Sequence, residues 1–210
     1  MRRRTLSAVL VMVVEGYLYY RYAQLDAEFH FWLHSLLGAA LGLAVLTGLR
    51  LLSHRRRRDG GPRRPGRELA PWEAGWFGHL YSAIPDALFL GAEMPHVAWM
   101  DVFAAHITVH FIPAPLVTML VVFLLSLTAY SLAMSWRTVA AATALAAGAV
   151  TFTAALGLAA PIPADIEDLR VDRGIALCPV QLRPPLMPRT PTPGTRAVGE
   201  LPPEMTGRPW

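Results

Sequence analysis

Apolar and polar positions alternate along this chain in long blocks, and the blocks predict helices. The first apolar run spans about 5 to 22, behind Arg2, Arg3 and Arg4, and the polar turn with Asp26 and Glu28 separates it from a second run at about 29 to 52. "SHRRRRDGGPRRPGRE" then breaks the pattern with prolines, glycines and seven arginines. The stretch 72–94 is apolar enough to enter a membrane, yet His79, Asp86 and Glu93 recur in it every seven residues, on nearly one helical face. Such a stripe faces protein or water, so the segment either crosses or re-enters.

Residues 97–134 are too many for one perpendicular span at about 1.5 Å per residue, and Pro113 and Pro115 divide them. A final run covers about 138 to 160. The expected fold is all-α, a polytopic transmembrane helical bundle of four to five spans over residues 1–160. Eleven of the eighteen prolines lie in 161–210, which reads as a Pro-rich tail, mostly disordered.

Composition supports this division. The 210 residues are 54% hydrophobic and 16% charged, with mean hydropathy +0.37, outside the habit of soluble domains. No Asp, Glu or Arg occurs between Val102 and Trp136 or between Thr138 and Ala160, and each run exceeds the roughly 20 residues that cross a bilayer. Twelve of the nineteen arginines fall in the first 67 positions. They flank apolar segments without interleaved stacking aromatics, which argues against nucleic acid. The positive-inside rule puts the N-terminus and the basic loop 53–67 in the cytoplasm, and the acidic tip at Asp26 outside. Tyr17, Tyr19, Tyr20, Tyr22, Trp72, Trp76 and Trp99 suit interfacial belts, and His54 beside the arginines suits a solvated loop. The single Cys178 excludes a disulfide framework and a Cys-rich zinc site, so any metal must use His and carboxylates.

Those residue types are present at ligand spacing. Asp26, His30, His34, Gly38 and Gly42 form an i, i+4 row that drifts by about 40° per step, so they share one face. Gly38 and Gly42 let a neighbouring helix approach closely, which points the histidines into the bundle. Imidazoles at i and i+4 have Cα atoms about 6 Å apart, from which both reach one ion. His106 and His110 repeat the spacing. Asp26 is too far from His34 to share its ion and is expected to orient His30. His79 and Asp86, about 10 Å apart on a straight helix, either join a site across a kink at Pro85, or Asp86 caps a second short helix starting near Ala87. Asp101 joins the His106 pair only if its helix begins irregularly. Glu15 is costly in lipid and needs Arg, His or water as a partner.

"HFWLHSLL", with His30, His34 and Ser35, and "HLYSAIPD", with His79, Pro85 and Asp86, resemble elements of a family of bacterial inner-membrane metal-dependent hydrolases. The element order here is reversed, the His pair is one residue closer, and Leu88 stands where a second acid follows Pro-Asp. The resemblance implies a metal-assisted hydrolase of the bacterial inner membrane, acting on a phosphoester or lipid-like substrate. The resulting expectation is a divalent transition metal, zinc first, held by His30, His34, His79, Asp86, Asp101, His106 and His110, with Glu28 or Asp26 relaying a proton. Membrane lipids and a small-molecule or lipid substrate are the expected partners. The competing expectation is a non-catalytic bundle that binds or passes metal or protons, or is purely structural. Bis-His haem ranks third, since one haem leaves half of each His pair unexplained.

Overall fold

The computed structural model describes residues 3–24, 27–58, 69–92 and 98–161, and no strand occurs among them. Six α-helices follow one another: α1 (Arg3–Ala23), α2 (Glu28–Arg58), α3 (Pro71–Ser82), α4 (Ile84–Ala92), α5 (Pro115–Met134) and α6 (Thr138–Gly157). Two 3-10 turns, Ala98–Val102 and Thr108–Phe111, lie between α4 and α5. Asp26, most of the basic loop, Glu93, His96 and the tail beyond 161 lie outside the described residues.

Among the described residues, three helices are long and apolar enough to cross a membrane: α2 over Glu28–Arg55, α5 and α6. The sequence expectation was four to five spans. α1 carries Arg3, Arg4, Glu15 and Arg21 and has no buried residue. The expected third segment is instead two short helices of 12 and 9 residues, each below the roughly 20 needed to cross. α2 is longer than its apolar run: it continues through the arginines to Arg58, and His54, expected in a loop, lies in this helix with its ring 4.3 Å from that of Trp136.

α2 is the axis of the bundle, with α3 on one side and α5 on the other, and α5 pairs in turn with α6. Between α2 and α5 with the connection that leads into it, the core is aliphatic, built from Leu33, Leu37 and Ala40 against Val109 and Ile112 of the connection and Met119 and Val122 of α5. The α2–α3 seam is built on glycines from both helices, Gly38 and Gly42 against Gly75 and Gly78. A Cβ placed on Gly38 would overlap the backbone of His79 and Gly78, and one on Gly42 would overlap the backbone of Ala74. Close approach through small residues is how helices associate where lipid offers no hydrophobic drive. The consequence is positional: His79 is brought directly beside α2.

Candidate metal centre

The α2 row delivers His30 and His34 to the bundle interior, one turn apart. Their counterpart is an irregular connection, because Ala104 and Ala105 take left-handed backbone angles (φ 60° and 57°) just before His106. Asp101 holds this bend. Its carboxylate accepts the Ile107 and Thr108 N–H groups at 2.7 and 3.0 Å and the Thr108 hydroxyl at 2.6 Å. Asp86 arrives from a third direction, in the first turn of α4, just after the break that ends α3 at Ser82.

His30, His34, Asp86 and His106 converge so that one ligand atom from each lies within 4.8 Å of all the others. All four are buried, between 0 and 2% exposed, with His110 alongside at 8%. His30 Nε2 is 2.7 Å from Asp86 Oδ2, and His34 Nε2 is 3.2 Å from His110 Nε2. His106 Nδ1 donates to the Ser82 carbonyl at 2.8 Å, which leaves its Nε2 presenting a lone pair when the ring is neutral. That Nε2 is 3.3 Å from Asp86 Oδ1. Two acceptors face each other there, and the arrangement calls for a cation between them, either a proton or a metal ion.

The donor set fits a metal. Three imidazoles and one carboxylate suit a borderline ion such as zinc, and a His whose second nitrogen donates to a backbone carbonyl is the orientation metal-bound histidines adopt. Tyr22 extends the shell, since its hydroxyl donates to Asp86 Oδ2 at 2.8 Å and its ring stacks on His30 with centroids 5.7 Å apart.

The other expected site residues lie elsewhere. His79 is not in the group: Ser82 and Ala83 end α3 between it and Asp86, so the seven-residue stripe does not stay on one face. It instead contacts Glu15 and Ser35, with Nδ1 2.9 Å from both carboxylate oxygens and Nε2 3.3 Å from the hydroxyl. α4 opens at Ile84, three residues ahead of the expected start at Ala87, so Asp86 lies inside its first turn, and its carboxylate turns to His30 and His106. Asp101 is occupied with the backbone bend. Glu28 sits in the first turn of α2, where a carboxylate complements the helix dipole, and is not one of the four converging donors. Asp26 lies outside the described residues. Sequence reasoning assigned Tyr22 to an aromatic belt, and no spacing signal connects it to Asp86 64 positions on. Comparison with known proteins returned no matching family model, no similar curated protein and no similar solved structure.

Proposed function

We propose that the chain is an integral membrane protein that binds a divalent transition metal, zinc first, through His30, His34, Asp86 and His106, and uses it to hydrolyse an ester or phosphoester. The observation that carries this reading is the meeting of four buried donors from three segments, two on α2, one on α4 and one on the connection before α5. Burying four ionisable side chains without a shared cation is costly, and such groups inside a membrane protein mark sites by default. A divalent ion held there would supply Lewis acidity toward a substrate oxygen and toward water. The chain's own part is to hold the donors: Ser82 fixes the His106 ring, and Tyr22 fixes Asp86. His110, beside His34, is positioned to take a proton during turnover.

The test is metal analysis of purified protein followed by turnover. About one metal per chain is expected, lost in His106→Ala, with hydrolysis of phosphodiester or phospholipid substrates abolished in Asp86→Asn. Metal content unchanged in His106→Ala would refute the ligand set. One observation favours a second reading: the donors are almost wholly shielded from solvent, as suits a resident ion or a proton relay without turnover. Metal-replete protein inactive across a broad substrate panel would select that reading.

A further inference from the structure

Beside the metal centre, and separate from it, the glycine seam assembles a second constellation. Glu15 on α1, His79 on α3 and Ser35 on α2 line a cavity of about 370 Å³. With the Glu15 carboxylate accepting from His79 Nδ1–H at 2.9 Å, Nε2 is the nitrogen with the free lone pair. The Ser35 hydroxyl, 3.3 Å away, then donates to it. This is the order of a nucleophile, a base and a group that orients the base, brought together from three helices. His79 is 3% exposed, whereas Glu15 keeps 25% of its side-chain surface open.

The cavity itself indicates what it would take. Besides the three polar residues its walls are Val11, Ala39, Leu43, Trp76, Phe123 and Leu127 among others, a lining for hydrocarbon.

We propose that this cavity is a second catalytic site, which cleaves acyl esters carrying a hydrocarbon chain, with Ser35 as nucleophile. Ser35 Oγ attacks the ester carbonyl carbon as its proton passes to His79 Nε2. Collapse breaks the bond to the alcohol, which leaves with the proton held by His79. Water then attacks the acyl-serine ester, giving its proton to His79, and the carboxylic acid departs as Ser35 regains its hydrogen. Glu15 is a positioning residue: it fixes the His79 tautomer and stabilises the imidazolium that forms. The proposal stands independently of the metal reading.

The experiment uses the full chain in detergent and a long-chain alkyl fluorophosphonate, read by intact mass and peptide mapping. One adduct per chain on Ser35 is expected, absent in Ser35→Ala protein that elutes as wild type does. His79→Gln should slow labelling by about 100-fold or more, the lower end of what a general base contributes. Glu15→Gln should lower the maximal labelling rate by roughly tenfold while leaving the half-saturating probe concentration in place, and Glu15→Asp should restore part of the rate. A Glu15–His79 pair that merely staples α1 to α3 would give no adduct. Absence of an adduct, an adduct on another residue, wild-type rates in Glu15→Gln, or labelling abolished by a chelator would each overturn the proposal.

Discussion

His34 and Ser35 are adjacent on α2, yet they serve two different compartments about 100° apart around the helix. His34 faces the turn that bears His106 and His110, in a closed interior where it is 0% exposed. Ser35 faces α1 and α3, in an open apolar cavity. The difference lies in what covers each side. An aliphatic core and a pinned backbone bend seal the first, whereas α1, which has no buried residue, covers the second only loosely. Closure shields the four donors from solvent, and openness leaves Ser35 on the wall of a cavity. One helix supplies both, because α3 packs against it through glycine.

The most damaging test of this comparison is therefore at the seam. In Gly38→Leu the new side chain meets the backbone of His79 and Gly78, which cannot rotate away, so α3 must shift. Overpacking costs 1–3 kcal/mol where flexible side chains give way, and rigid backbone raises this to about 3 kcal/mol or more. Both compartments should fail together: thermal unfolding in detergent drops sharply, and both metal content and Ser35 labelling disappear. Wild-type thermal stability in this variant would mean that the two sites do not share a foundation.

This dependence also marks how far the chain can be read unaided. The i, i+4 row from His30 to Gly42 was legible, because helix periodicity alone fixes which residues share a face. What lay opposite the glycines was not, since small residues show that a partner approaches closely without naming it. The His79–Asp86 stripe misled for a local reason: a helix end at Ser82 rotates everything after it, and the effect of Pro85 on backbone direction cannot be calculated from its presence. His106 follows two left-handed alanines in an irregular turn and His110 lies in the 3-10 turn after it, a backbone that alanine gives no reason to expect. Glu15 was legible as a residue in need of a partner, and His79 is that partner. Ser35 drew notice only beside His34, since a lone serine in an apolar helix ordinarily bonds its own backbone.

With the seam intact, the two compartments should separate cleanly. His34→Ala removes a proposed ligand from the closed side, and metal affinity should fall by more than the roughly 100-fold that marks the upper range for losing an orienting neighbour. Labelling of Ser35 one residue away should continue at the wild-type rate. A coupled loss of both, in protein that unfolds at the wild-type temperature, would merge the two sites into one. Tyr22→Phe is gentler on the same side. It keeps the ring stacked on His30 and deletes only the hydroxyl that donates to Asp86. Affinity for zinc, measured by competition with a chromophoric chelator, should drop about 10- to 100-fold. An unchanged affinity would remove Tyr22 from the shell.

Asp101→Asn gives the smallest expected effect and decides between two roles for one carboxylate. As a support for the bend, Asp101 can be replaced by asparagine at modest cost. The amide oxygen still accepts the Ile107 and Thr108 N–H groups, while the Thr108 hydroxyl can turn to accept from the new NH2. What is lost is the charge. Hydrogen bonds to a charged group contribute about 1.5–3 kcal/mol against about 0.5–1.5 for neutral ones, so the variant should lose roughly 1 kcal/mol of stability. His106 keeps its bond to the Ser82 carbonyl, so zinc affinity should change by less than about tenfold, below the range seen when a direct orienting partner is deleted. A ligand behaves differently, because an amide is a far poorer donor to zinc than a carboxylate and metal content would collapse as in His34→Ala. Chelator competition on Asp101→Asn therefore separates a residue that shapes the backbone from one that touches the ion, and affinity reduced to the His34→Ala level would move Asp101 into the coordination sphere.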